Sequence, residues 1–233
     1  MKPLSVVLPV YNECGAIEGV VKGIHEEIIR KYPGSKLIVA EDGSTDGTKE
    51  ILRKMSRKIR FRLVMSDERK GYLKAVRDAL LLAGTDLIFF MDSDGTHDPK
   101  DFWKLYGQIG EADVVAGVKD GRKDPLYRIL LSRLYNFLLG IVFGLWIKDS
   151  NAGFKLLKKD VVKNIVPRIK YLKYGFSSEL LIRAKHAGKK IIPVSVMHFP
   201  RKEDKPDQFA ISRIHKVVFE QLKGIIKLRL ELI

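Results

Sequence analysis

DLIFFMDSDGTHDP, residues 86–99, carries a strand, its exit and a cluster of acids in one stretch. From Leu87 to Met91 the side chains are apolar without a break. A short continuous apolar run bounded by polar residues reads as a strand buried on both faces, as in a parallel sheet covered by helices. The run ends in Asp92, Ser93 and Asp94. Two carboxylates one residue apart at a strand exit repel, and each raises the other's pKa unless a cation lies between them. Their hard oxygens suit Mg2+ or Mn2+, ions that commonly keep substrate phosphates in their shell instead of an all-protein cage. The pair therefore predicts a divalent metal that carries a diphosphate.

Strand and helix signals alternate outward from this stretch. SVVLPV (5–10), KLIVA (36–40), FRLVM (61–65) and ADVVAG (112–117) read as further strands. AIEGVVKGIHEEIIRKY (16–32), TKEILRKMS (48–56) and YLKAVRDALLLAG (72–84) show helical spacing between them, with Ser44, Thr45 and Asp46 as N-cap candidates for the second. Strands separated by helices predict a doubly covered, mostly parallel sheet. Past residue 120 the alternation fades into a basic helical stretch, AGFKLL (152–157), a helix near 177–187, the strand KIIPVSVMHF (190–199) and a basic helix from about 211.

In open parallel sheets, ligands bind at the carboxyl ends of the strands. Strand one leaves through Pro9, Tyr11 and Glu13, strand two through EDGSTDG (41–47), and the 86–92 strand through the acidic pair. Three acid-rich loops meet on one rim. No GxGxxG follows strand one and no GxxxxGK[ST] occurs, so dinucleotide and P-loop chemistry lose their main support.

The rest of the 233-residue chain is basic, with 43 Lys/Arg against 28 Asp/Glu, a field that attracts anions. Residues 119–174 hold an excess of cations and also ILLSRLYNFLLGIVFGLWI (129–147), an apolar run broken by Arg133 and Asn136. Broken in this way it predicts an interfacial or buried pair of helices within 125–147 and not a membrane span. HKVVFEQLKGIIKLRLELI (215–233) has the apolar spacing and cations of a helix lying on a membrane, with docking on its own domain as the alternative. A single cysteine, Cys14, excludes an internal disulfide. His25, His186, His198 and His215 are scattered, and His97 is a lone loop histidine, read as capping or solvated. Trp103 and Trp146 are expected in the core or at an interface. Met1 to Ser5 shows no signal-peptide pattern, which predicts a cytoplasmic chain. Nucleic-acid binding is disfavoured, because no aromatic-rich or helix-turn-helix pattern appears and the acidic rim repels a phosphate backbone.

VVLPVYNE, EDGSTDGT and FFMDSDGTHDP together resemble the successive motifs of GT-A fold, family 2 inverting glycosyltransferases. More narrowly the chain is similar to polyprenyl-phosphate (dolichyl-phosphate) mannosyl- and glucosyltransferases, through YRILLS (127–132), KDSNAGFKLL (148–157), FSSELLIRA (176–184) and FPRKEDK (199–205). The resemblance implies a GT-A, Rossmann-like α/β domain over residues 1–210. Its nucleotide-sugar half would be 1–118, its acceptor half 119–210, and 211–233 would be a basic amphipathic helix.

The resemblance also implies roles. Pro9, Tyr11 and Glu13 line the base and ribose, Asp42 accepts a base N–H, and Asp46, Lys70 and Ser93 complete the donor site. Asp92 and Asp94 hold metal and diphosphate. Two residues past Asp94 the subgroup usually has glutamine as a further ligand, whereas this chain has Thr96, a shorter reach that leaves room for a water. Lys119, Arg128, Ser132 and Arg201 match positions that bind the acceptor phosphate, with lysine at 119 where the forked guanidinium of arginine is common. Arg128 and Arg201 then count with the two aspartates as catalytic. Asp149 and Glu179 are open to three roles: base, sugar ligand or structural acceptor.

The implied reaction moves a hexose, mannose from GDP-mannose first, to a polyprenyl (dolichyl) phosphate at the cytoplasmic membrane face. UDP-glucose or another UDP-sugar, and a soluble glycan acceptor, are the alternatives.

Overall fold

The computed structural model describes residues 2–121, 124–200 and 211–233, the side chains of 211–213 excepted. Its strands are β1 (Leu4–Val10), β2 (Lys36–Asp42), β3 (Arg62–Ser66), β4 (Leu87–Met91), β5 (Val114–Asp120), β6 (Phe154–Lys158) and β7 (Ile191–Met197). They form one seven-stranded sheet in the order β3-β2-β1-β4-β6-β5-β7. The helices are α1 (Ile17–Ile24), α2 (Thr48–Ser56), α3 (Tyr72–Leu81), α4 (Phe102–Tyr106), α5 (Leu126–Phe143), α6 (Lys159–Asn164), α7 (Phe176–His186) and α8 (Ile211–Glu231). A π-helical turn, His25–Ile29, prolongs α1.

Alternate side chains of each strand feed two cores, as the pleat requires. Val6, Leu8, Phe89 and Met91 face α1, α2 and α4, where Ile17, Leu52 and Phe102 meet them. Val7, Ile88 and Phe90 face the other helices, where Val76, Leu139, Phe176 and Leu228 meet them. Aromatic edges reinforce the first core: Phe89 stands edge-on to both Phe102 and Phe154, with centroids 5.1 and 4.7 Å away.

Every neighbouring pair is parallel except those made by β6, which runs against both β4 and β5. The expected sheet is therefore interrupted by one reversed strand. Reversal has a consequence for the site. The exits of β1, β2, β4, β5 and β7 share one rim, and the chain entering β6 arrives at that same rim, since Met91 pairs with Phe154.

The expected pair of helices in 125–147 is a single helix, α5, capped by Gly144 in the left-handed region at φ 67°. Neither Arg133 nor Asn136 breaks it. Nor is it mainly buried: Leu126, Leu130, Leu134, Phe137 and Ile141, spaced by three or four residues, form an exposed stripe. Among the described residues α5 alone is long and apolar enough to cross a membrane by length and composition. Its 18 residues span about 27 Å at 1.5 Å each. That is close to the roughly 30 Å hydrocarbon core, and Arg128 and Arg133 interrupt the apolar sequence. α8 docks through Val217, Ile225 and Leu228 while Phe219, Leu222, Ile226 and Leu230 stand exposed. One face of α8 thus docks on its own domain and the other stands exposed. The two tryptophans also divide: Trp103 packs on the core and donates to the Glu27 carbonyl at 3.0 Å, whereas Trp146 is exposed beside Phe137.

Candidate active site

The loops after β1 and β2 are locked to one another by side-chain to backbone hydrogen bonds. Asn12, in the left-handed region at φ 52°, donates its N–H to Ser44 Oγ at 2.9 Å and accepts from the Thr45 N–H at 2.9 Å. Glu13 N–H donates to Thr48 Oγ1 at 2.8 Å, and Cys14 N–H to Asp46 Oδ2 at 3.1 Å. Asp46 Oδ1 also accepts from the Thr48 N–H and hydroxyl, so Asp46 serves the loop itself, while Gly47 occupies the N-cap position of α2. Pro9 pairs within β1 opposite Ala40, and the Tyr11 ring lies 4.0 Å beneath the Arg69 guanidinium.

Asp42 also has a part in the fold. It is buried, and its oxygens accept from the backbone N–H groups of Lys70 and Gly71 at 2.8 and 3.1 Å. It fixes the turn into α3, which carries Lys70 and Arg69. Its neighbour Glu41 is as buried, and Glu41 Oε2 has no hydrogen-bond partner among the described residues.

The acidic pair lies at the centre of the rim. Asp92 N–H donates to the Gly153 carbonyl at 2.8 Å, and Asp92 Oδ1 accepts from the Tyr72 hydroxyl at 3.1 Å. A Cβ at Gly153 would overlap the Asp92 carboxylate, so only glycine permits this approach. Burial and the charge of Asp94 push the Asp92 pKa up to about 6, against the pull of Lys119, the Tyr72 hydroxyl and Lys155. Desolvation first, with the same Asp92 second, drives the Tyr72 phenol well above its ordinary value. Asp94 Oδ1 accepts from Thr96 N–H at 3.1 Å and from its hydroxyl at 2.7 Å. Thr96 thus orients Asp94 from behind. Ser93 is buried in the same turn.

This donor set fits a divalent metal of the kind expected. A carboxylate whose pKa is raised by burial and by a like charge beside it gains from a cation, and no group of three or more His, Cys, Asp or Glu forms a metal cage among the described residues. A hard ion held by few protein oxygens keeps its other positions for phosphate and water.

His97 is neither solvated nor a cap. It is buried, its ring tilts on Phe154 with centroids 5.1 Å apart, and it pairs by backbone bridge with His198. Burial pushes its pKa down to about 3, so it is neutral at physiological pH. Thr96 carbonyl accepts from Phe199 N–H at 2.9 Å, which binds the exit of β7 to the acidic turn.

On the acceptor side, Lys119, next to last in β5, is close enough to act on Asp92. Arg128 and Ser132 lie one turn apart on α5, with Asp124 3.8 Å from Arg128 Nη1. Asn136, a turn further on, donates to the Ser132 carbonyl at 2.6 Å and accepts from Ser150 N–H and Oγ at 2.9 and 2.7 Å. α5 is thereby pinned to the loop that enters β6. That loop carries Asp149, buried, with Oδ2 unpartnered among the described residues. Glu179 serves as a structural acceptor, one of the three roles left open for it. It is fully buried, and its oxygens accept from the N–H groups of Lys170, Tyr171 and Leu172 and from Arg183 Nε, all within 2.9 Å. Arg201 lies outside the described residues.

Sequence reading passed over Arg69, Tyr72, Glu41 and Lys155. Lys155 had a signal, a charge inside the apolar run FKLL, where a buried cation needs a partner. Its ammonium group, completely buried, donates to the Ala152 carbonyl. Burial pulls its pKa down to about 8 while Asp149 and Asp92 hold it up.

Comparison with known proteins agrees with this geometry. Residues 5–166 match the profile described as Glycosyl transferase family 2. The chain is 30% identical to Glycosyltransferase AglD of Haloferax volcanii, over 88% of this chain and 34% of that protein. It is 28% identical to dodecaprenyl-phosphate galacturonate synthase of Rhizobium johnstonii, over 97% of this chain and 67% of that protein. The chain thus spans about a third of the first relative and two thirds of the second. A crystal structure of glucosyl-3-phosphoglycerate synthase from Mycobacterium tuberculosis, in complex with Mn2+, UDP and phosphoglyceric acid, has the same fold. Its TM-score is 0.74 at 21% identity, covering 96% of this chain and 78% of that one. The sheet, with one reversed strand and an acid-lined rim, is the GT-A fold, and the matched segment runs from β1 to just past α6. The chain belongs to glycosyl transferase family 2.

Proposed function

We propose that this chain transfers a hexose from a nucleoside diphosphate sugar to the phosphate of a polyprenyl (dolichyl) lipid, working peripherally at a membrane surface with Mg2+ or Mn2+. One observation carries the lipid acceptor. α5 bears Arg128 and Ser132 one turn apart, exposes an apolar stripe, and is pinned through Asn136 and Ser150 to the loop against Asp92. A helix of that kind holds an anion near the rim and an acyl chain beside it.

In this reading Tyr11, Glu13, Arg69 and Lys70 line the donor nucleotide, with Pro9, Asp42 and Asp46 shaping their loops. Asp92 and Asp94 hold the metal, backed by Ser93 and Thr96, and the ion supplies charge neutralisation for the departing diphosphate. Lys119, Arg128, Ser132 and Arg201 draw the lipid phosphate to C1 of the sugar and screen it from the diphosphate. The phosphate oxygen forms the new bond to C1 as the C1–O bond to the diphosphate breaks, and that electron pair leaves with the diphosphate. Attack in line inverts the anomeric centre. A phosphate already ionised near pH 7 has no proton to lose, so Asp149 acts as a sugar ligand, or as a base where the phosphate carries one.

GDP-mannose is the donor placed first. The name of the galacturonate synthase relative supports a polyprenyl-phosphate acceptor without fixing the base. A screen of GDP-mannose, UDP-glucose and UDP-GlcNAc against polyprenyl phosphate, read by extraction of labelled lipid, tests the reading. Labelled lipid should form with one donor, vanish with EDTA, return with Mn2+ or Mg2+, and drop by orders of magnitude in Asp94→Asn. Full activity in chelator would sink the metal, and label confined to a soluble glycan would sink the lipid acceptor.

A further inference from the structure

α8 has a third edge besides its buried and apolar ones. Lys216, Lys223 and Lys227 recur along it and wall a groove of about 870 Å³. Lys170 and Lys173 line the facing loop, and Lys70 and Lys74 line the start of α3. Two of these cations are compensated: Lys70 lies 3.6 Å from Asp78, and Lys170 lies 2.9 Å from Glu231. For Lys74, Lys173, Lys216, Lys223 and Lys227 no ion pair exists among the described residues. Glu220 is the one acid lining the groove. Gathering uncompensated ammonium groups is unfavourable unless an anion shares the space.

We propose that this groove seats the phosphate headgroups of anionic phospholipids, with the apolar stripe of α8 entering the acyl region beside it. Position argues for a bilayer over a soluble anion. The basic edge adjoins Phe219, Leu222, Ile226 and Leu230 on one helix, and a soluble phosphate would engage the lysines and leave those side chains in water. Basic and apolar edges together are the pattern of helices that lie in the headgroup layer. The site is separate from Arg128 and Ser132 on α5. At its far end stands Tyr72, whose hydroxyl reaches Asp92, so a lipid surface held here runs alongside the donor rim. The inference rests on the peripheral-membrane part of the reading above and needs neither its donor nor its acceptor.

Sedimentation of the full chain with phosphatidylcholine vesicles, and with phosphatidylcholine–phosphatidylglycerol vesicles, tests it. Partition should favour the anionic vesicles by at least about ten-fold and weaken with added salt. The triple variant Lys216→Glu, Lys223→Glu, Lys227→Glu should lose that preference while keeping nucleotide binding, measured by calorimetry. The milder Lys→Gln triple should lose part of it, and serves if charge reversal upsets folding. Equal partition onto both vesicles overturns the groove and leaves peripheral docking standing, whereas binding to neither overturns both. A variant that loses nucleotide affinity overturns the inference too, because the lysines would then belong to the donor site.

Discussion

The side chain that glycine lacks at position 153 decides where Asp92 stands. Any Cβ there would occupy the carboxylate's place. Overpacking a tight site costs roughly 1–3 kcal/mol, and here it falls on the donor carboxylate. Gly153→Ala should cut turnover by at least about a hundred-fold, because displaced catalytic groups cost that much for a shift near 1 Å. Its thermal midpoint should drop by roughly 2–12 °C, with the fold kept. Wild-type turnover in Gly153→Ala would show that Asp92 need not lie against this loop. Arg128 permits a different test, since it faces the proposed acceptor and not the donor. Removing one charge-assisted contact costs roughly 1.5–3 kcal/mol, so Arg128→Ala should raise the apparent KM for lipid phosphate about ten- to a hundred-fold. Donor affinity by calorimetry should stay put. A lost donor affinity would move Arg128 to the diphosphate. Of these residues, the acids were legible in the sequence because a charge at the end of an apolar run is conspicuous. Gly153 was quoted within a motif without its reason, since only the reversed strand brings it to Asp92. For Glu179 a structural role was one of three readings, and for Asp42 the bonds to the turn before α3 were not legible, because the backbone N–H groups it serves lie 28 and 29 residues away.

At the scale of elements, β1 to β4 were readable because each is a short apolar or β-branched run flanked by helical spacing. The reversal of β6 was not, since periodicity carries no strand direction. α5 was read as two helices because Arg133 and Asn136 look like interruptions, yet both are good enough helix residues, and Asn136 spends its amide on Ser132 and Ser150. α8 offers a pH test through its last turn. Lys170, then Tyr171 and Arg183, hold the Glu231 carboxyl down to about 2, from an ordinary value of 4.5. A depressed carboxylate stabilises the fold above its unfolded pKa, and the contribution fades as pH falls from about 4.5 to 2. Glu231→Gln should therefore be less stable than wild type at pH 6, and the difference in urea midpoint should close as pH nears 2. A difference that persisted at low pH would assign the role of Glu231 to packing.

Over the whole molecule, a chain of formal charge +15 gathers Asp92 and Asp94 at one rim, while other acids such as Glu18, Glu26 and Asp160 are paired with cations on the outer helices. On the proposed reading the rim would receive metal and diphosphate together, while the net positive charge draws anions and loses that pull as salt rises. The two parts of the sheet meet through a single element, β6, hydrogen-bonded to β4 on one side and β5 on the other. That arrangement governs the order of events as the protein is made. β1 to β4 can pair as soon as they leave the ribosome, yet the outer edge of β4 keeps its N–H and C=O groups open until residue 158 has emerged. An apolar strand with a bare edge invites pairing with other chains. β5, synthesised earlier, has no place to join and must wait for a partner that arrives 34 residues after its own last residue, from Asp120 to Phe154. Until then LIFFM keeps one edge open, and the strand that closes it brings Gly153 against Asp92: cover for that edge and the seat of the carboxylate arrive together.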